Sequence, residues 1–322
     1  MKSIIKKLLN SDEPSIRFKV LVNVLGKDIK SPEIVKLQEE IKSSPRVRLL
    51  LSERGKDGKI PFHPYRKWCG AHWVLECLAD IGYPPGDESL IPLKKQVYEW
   101  LFSSKHEERI KTIEGRVRRC ASQEGNALYY LSFLGLADTR SEELAKRLIK
   151  WQWPDGGWNC DKNPKAINSS FMESLIPLRA LALHARLTEN TESRTAAERA
   201  AEIFLKRRLY KRQRDGSVIS DDFVKLHYPC YWHYDVLFGL KVMAEAGFIK
   251  DERCRDALEL LESKQLPDGG FPVEKKYYQV TKKVKGKTGR SLVDWGGTSK
   301  KKMNEFTTAD ALYVLKMAGR LT

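Results

Sequence analysis

Between positions 227 and 233 the chain reads His-Tyr-Pro-Cys-Tyr-Trp-His, which spaces His227, Cys230 and His233 three residues apart. Imidazole nitrogen and thiolate sulfur are both zinc ligands, so metal binding is the first chemistry to weigh. On a helix such positions drift round the surface, and Pro229 interrupts the start. The expectation is no resident metal and no cofactor; these three residues would hold a metal if one bound. For proton transfer the candidates are carboxylates near the starts of apolar helical stretches, Asp235, Glu305 and Asp310. They have no dense cluster of further carboxyls around them in sequence.

Further polar groups sit at the starts of other apolar stretches: Lys67 and His72, Gln123 and Asn126, Asn168 and Glu173, and Tyr234. If those stretches are parallel helices, these groups converge near one mouth of a cavity. Trp68, Trp73, Tyr129, Phe171, Tyr231 and Trp232 would then wall it, giving the mixed lining that small-molecule sites use. The alternative is that the aromatics only fill the core. Two basic clusters, Lys206 to Arg214 and Lys275 to Lys302, supply cations. The second is glycine-containing and poor in core residues, so residues 272–303 read as a basic loop insertion.

What must position these groups is a repeat. An acidic-Gly turn recurs as Asp57-Gly58, Glu114-Gly115, Asp155-Gly156, Asp215-Gly216 and Asp268-Gly269. An amphipathic stretch precedes each turn, and a stretch that is apolar nearly all round follows it. The apolar set is predicted at Trp68 to Ile81, Ser122 to Leu136, Asn168 to Leu187, Tyr231 to Gly247 and Asn304 to Ala318. Ile16 to Leu25 makes a sixth, and residues 1–54 form the least marked repeat. One-faced helices at Glu142 to Gln152, Glu192 to Leu209 and Asp251 to Gln265 alternate with them, with Ser141, Thr191 and Asp251 as expected N-caps. The whole chain, 1–322, then reads as a single all-α domain of about six helical hairpins in two layers. It either closes into a ring or continues as an open superhelix.

The turn Gln152-Trp153-Pro154-Asp155-Gly156-Gly157-Trp158 and the turn Gln265-Leu266-Pro267-Asp268-Gly269-Gly270-Phe271 resemble the Q-x-x-D/E-G-G-W/F repeats of squalene and other terpenoid cyclases and of protein prenyltransferase β-subunits. That resemblance implies a closed α/α toroid. The run Lys225-Leu226-His227-Tyr228-Pro229-Cys230-Tyr231 is similar to the transferases' K-L-x-D-x-C-Y run. It implies that Lys225 and Tyr231 contact a prenyl diphosphate and that Cys230 matches a zinc-ligand cysteine. Tyr228 stands where that run has its Asp, and Phe306, Thr307 and Thr308 stand where a zinc-ligand His belongs. The cyclases' D-x-D-D acid is not present either; the last apolar stretch offers Asn304-Glu305-Phe306-Thr307-Thr308-Ala309.

The ligand residues expected from these readings are Lys225, Tyr231, Trp68, His72, Trp73, Phe171, Trp232 and Tyr234. The expected ligand is a small apolar or isoprenoid-type molecule, with or without a diphosphate. The competing readings are a non-catalytic binding or scaffold module and a nucleic-acid-associated protein. A formal charge of +16 suits an anionic partner, whether diphosphate, nucleic acid or anionic lipid, without choosing among them. Six cysteines without a CxxC pair read as free thiols of a reducing compartment. With no apolar run long enough to span a bilayer, a cytoplasmic protein is expected.

Overall fold

A computed structural model describes residues 2–284 and 288–321; Lys285 and Lys287 of the second basic cluster lie outside the described residues. Helices α1 (Lys2–Leu9), α2 (Pro14–Phe18), α3 (Pro32–Lys42), α4 (Pro45–Leu51), α5 (Ala71–Asp80), α6 (Ile91–Leu101) and α7 (Ser104–Glu107) make up the first part. They are followed by α8 (Ser122–Phe133), α9 (Thr139–Trp151), α10 (Phe171–Thr188), α11 (Thr191–Leu205), α12 (Val236–Glu245), α13 (Arg255–Glu262) and α14 (Glu305–Met317). Among the described residues strand structure is limited to two short pairs: β1 (Lys111–Ile113) antiparallel to β2 (Arg116–Arg118), and β3 (Gln279–Val280) parallel to β4 (Arg290–Ser291). The protein is all-α.

Outer helices α1, α3, α6, α9, α11 and α13 alternate with inner helices α2, α5, α8, α10, α12 and α14. The outer α9 buries one stripe, Leu144, Ala145, Leu148 and Trp151. The inner α12 buries every residue from Val236 to Ala244, including Lys241. Neighbouring inner helices pack in sequence, α5 on α8, α8 on α10, α10 on α12 and α12 on α14. The last, α14, packs on residues 19–24, where α2 continues with wide turns such as Leu25 N to Val20 O. Lys19 reaches Asp80 of α5 at 2.9 Å, and at the periphery Lys7 of α1 meets Asp268 after α13 at 3.3 Å. First and last hairpins therefore touch, and the ring is closed: an α/α toroid of six hairpins.

The glycine of each recurrent turn is left-handed, with φ between 68° and 102°, a conformation that costs glycine nothing. Gln152 donates to the carbonyls of Gly156 and Ala196, and Asp155 accepts from Ser169 N–H at the entrance to α10. Helix starts differ from the sequence expectation. Asp138, not Ser141, caps α9; Ser141 supplies the reciprocal bond of a capping box. Asn190 caps α11 in place of Thr191. Tyr231 has φ of 51° and so cannot begin a helix; α12 starts only after Asp235 accepts from Phe238 N–H. Among the described residues of 272–303, Val273, Tyr278, Val293 and Trp295 are buried, more core than the composition of this basic stretch suggested.

Far-UV circular dichroism is expected to show a predominantly helical spectrum with the weak strand signal of two short pairs. A β-rich spectrum would contradict the fold.

Candidate functional site

The ring has two ends, and the sequence pointed to the one at the helix starts. There Trp68 stacks on Tyr231 with centroids 3.8 Å apart, and Trp73 meets both edge-on. His233 is sandwiched between Trp232 at 4.2 Å and Tyr277 at 3.5 Å. The Trp68 indole donates to Tyr277 O and its backbone N–H to Arg290 O, so the segments around Tyr277 and Arg290 lie across this end. His72 bonds the Tyr130 hydroxyl at 3.0 Å. Burial, then neighbouring His106, holds its pKa down at about 3; burial, then His227 and Lys67, does the same for His233. Both imidazoles are neutral at physiological pH.

The remaining candidates at this end are scattered. Phe171 packs with Phe204, Phe223 and Tyr234, and the Tyr234 hydroxyl donates to Leu209 O. Lys225 is exposed and pairs with Asp222 at 3.6 Å, beside Lys275 on the same carboxylate. Glu305 accepts from Ser11 Oγ. His227, Cys230 and Asp235 offer atoms within 4.8 Å of one another, but His233 is not in that group. Asp235 is already committed: Oδ1 accepts from Phe238 N–H, and Oδ2 accepts from His227 N–H and lies 2.8 Å from His227 Nδ1.

Inside the ring lies a feature the sequence reading missed. Lys19 and Lys241 each donate to both Asp80 and Asp310, at 2.9–3.0 Å, closing a four-membered ionic ring between α5, α12, α14 and the 19–24 continuation of α2. The Tyr228 hydroxyl adds a 2.6 Å bond to Asp80. Burial disfavours the charge on Asp80, but Lys19, Lys241 and Arg179 outweigh it and hold its pKa well below the usual carboxylate range. Burial likewise opposes the Lys241 charge, and Asp310 and Asp80 overcome it, holding that pKa well up. Next to this ring the Arg179 guanidinium forks onto Glu245 and lies 3.8 Å over the Tyr129 ring.

These charges floor a cavity of about 310 Å³ that opens at the C-terminal ends of the inner helices. All six contribute to its lining: Lys19 and Asn23, Asp80, Tyr129 and Phe133, Arg179 and Arg186, Lys241 and Glu245, Tyr313 and Met317. The rim is mixed, with Phe133, Leu183, Tyr313 and Met317 beside Asn23, Arg186 and Glu245, and the floor is ionic. Asp310, proposed from sequence as an acid, sits beneath this floor with both oxygens accepting from ammonium groups. A lone lysine in the apolar run Val236 to Ala244 was the available signal for it.

Glu76, one turn before Asp80, is buried with a pKa raised to about 8, first by burial and then by Asp80. Its unfolded counterpart releases a proton near pH 4, so the folded state holds the proton longer. Stability then falls as pH rises between those values, by up to about 1.4 kcal/mol per unit. Glu76→Gln is expected to flatten that decline between about pH 6 and about pH 7 by roughly this amount. Urea midpoints of both proteins at the two pH values check it.

No family model matches the chain, and no curated protein matches it. Among solved structures it is similar to the crystal structure of a protein from Actinoplanes, at 17% identity over 95% of this chain and 90% of that one, with a TM-score of 0.44. It is also similar to the apo form of the type II terpene cyclase MstE from Scytonema, at 12% identity over 96% and 88%, TM-score 0.45. A variant of that cyclase in complex with geranylgeranyl dihydroxybenzoate matches at 14% identity over the full length of both chains, TM-score 0.33.

Proposed function

We propose that this protein binds a small amphipathic, isoprenoid-type molecule with an anionic head in the cavity at the C-terminal ends of the inner helices. The observation that carries the reading is the cavity's mixed lining, aromatic and aliphatic side chains at the rim over a floor of paired ammonium and carboxylate groups. Its volume, about 310 Å³, lies at the small end of ligand sites, so a short prenyl chain fits better than a long one. An ammonium has three donors; Lys19 and Lys241 each spend two on aspartates. The third on each is the natural contact for a phosphate or carboxylate oxygen. Binding without chemistry is favoured by the commitment of Asp310: an acid that protonates an alkene cannot have both oxygens held by ammonium donors.

The test is calorimetric titration with geranyl and farnesyl diphosphate. Tyr313 and Phe133 on the rim are half-buried and lie outside the ionic ring, so their removal leaves the floor in place. Tyr313→Ala with Phe133→Ala is expected to weaken binding roughly tenfold, about 1.4 kcal/mol. Lys225→Ala, at the other end of the ring, is expected to leave it unchanged. Binding that survives the rim variant but is lost with Lys225→Ala would move the site to the helix-start end. No binding by the unaltered protein would leave the scaffold reading.

A further inference from the structure

Two segments distant in sequence run side by side near the starts of α8 and α10. Arg118 and Asn159 form a parallel bridge, and Arg119 N–H donates to Asn159 O at 3.2 Å. Each segment carries a cysteine one or two residues further on, Cys120 and Cys160, and the bridge sets the two thiols against each other. Glu173, in the first turn of α10, completes the group. Its Oε2 accepts from Ser122 N–H at 3.0 Å, and its Oε1 lies 3.7 Å from Cys160 Sγ. The two sulfurs and the carboxylate oxygen all lie within 4.8 Å of one another.

Glu173 has hydrogen-bond donors in Ser122 N–H and the Cys160 thiol but, among the described residues, no cation beside it. It is 8% exposed, and among the described residues no lysine, arginine or histidine pairs with it. Glu124, also buried on the adjacent helix, has His106 at 2.8 Å and Arg119 at 3.1 Å. A buried carboxylate without a cation is costly, and here the groups facing it are two thiols. Such a trio suits a borderline-soft divalent cation. Tetrahedral zinc with ordinary bond lengths places sulfur and oxygen ligands about 3.6 Å apart and two sulfurs about 3.8 Å apart. The observed Cys160–Glu173 separation already matches the first.

We propose that Cys120 Sγ, Cys160 Sγ and Glu173 Oε1 bind a zinc ion. The Ser122 N–H to Oε2 bond orients the carboxylate, the role that outer hydrogen bonds play at metal sites. Both cysteines are partly exposed, so the fourth position faces water or a ligand, as in zinc sites that keep an open coordination place. Binding ties the entrances of two inner helices together and releases thiol protons to solvent. The site is separate from the cavity at the opposite helix ends and does not depend on its occupant.

The test uses the full chain, purified without chelator under reducing conditions. Elemental analysis is expected to find one zinc per chain. Titration of the stripped protein with zinc against a chromophoric chelator should give tight binding that Cys120→Ser and Cys160→Ser abolish. Glu173→Gln should weaken it at least about tenfold. Cys230→Ser should leave it unchanged. Cobalt substitution of the unaltered protein supplies a readout that survives misfolding of a variant: intense tetrahedral d–d bands with thiolate charge-transfer absorption. Absence of zinc and of those bands, or loss of binding with Cys230→Ser in place of the Cys120 and Cys160 variants, would overturn the proposal. So would a mass two hydrogens lighter with Cys120 and Cys160 joined in a disulfide and no metal bound.

Discussion

Replacing Lys241 by methionine is expected to destabilise the protein by about 3–5 kcal/mol, the usual cost of removing one partner from a buried ionic group. Methionine matches the lysine stem in length, so packing along α12 is kept and the lost charge dominates. Two carboxylates, Asp80 and Asp310, would then share the single ammonium of Lys19 in a site where Lys19, Lys241 and Asp310 are all 8% or less exposed. The measurement is urea unfolding at neutral pH with a fixed m-value. Replacing all four members by apolar residues of similar size is expected to cost far less than Lys241→Met alone, because no unpaired charge remains. A loss under about 1 kcal/mol for Lys241→Met would place the ring in the class of solvated surface pairs.

The same ring sets a pH signature. The folded-state pKa of Asp80 is depressed, so its contribution is complete above the unfolded value near pH 4 and is lost as pH falls toward the folded one. The folded-state pKa of Lys241 is raised, so its contribution is complete below the unfolded value near pH 10 and is lost only as pH rises beyond it. Stability owed to the ring is therefore flat across the neutral range and fails at the acid edge first. In Lys241→Met the acid edge should shift to higher pH, since Asp80 keeps fewer cations to hold its proton off.

The features legible in sequence were the local ones. A left-handed glycine after an acid, a one-sided stripe such as Leu144 and Leu148, and an all-round apolar run are each written within one or two turns of chain. They were enough for the hairpin count and the two layers. Helix entrances were misplaced where a loop imitated helix composition. Trp68 and Tyr231 are as apolar as the helices they precede, yet they stack on each other outside α5 and α12. The ionic ring needs Lys19, Asp80, Lys241 and Asp310 from four helices, and no interval in sequence announces that convergence. Cys120 and Cys160 are likewise joined by the Arg118–Asn159 bridge, not by a spacing that a motif could record. What local chemistry could not say is that aromatic stacking of Trp68, Tyr231, Trp232 and His233 with Tyr277 fills the end at the helix starts.

Asp235→Ala is expected to cost about 3–5 kcal/mol, and the reason lies in what its two oxygens do. One caps α12 through Phe238 N–H at 2.7 Å; the other accepts from the backbone N–H of His227 at 2.7 Å and faces its Nδ1 at 2.8 Å. Both side chains are fully buried. Loss of an N-cap costs about 1–2 kcal/mol. Each buried donor left without an acceptor adds about 1–3 kcal/mol, and residues in one network do not add simply. Asp235→Asn separates the contributions. Its carbonyl oxygen can still cap Phe238, while its amide group turns donors toward His227. The imidazole can change tautomer and accept at Nδ1, but the His227 backbone N–H cannot. Asn is thus expected to recover the cap and one side-chain bond, leaving roughly half the loss. Urea midpoints give the stabilities, and the nitrogen chemical shifts of the His227 ring report the tautomer. A full-sized loss in Asn with an unchanged His227 tautomer would show that the negative charge of Asp235, and not its hydrogen-bond geometry, holds the entrance of α12 in place.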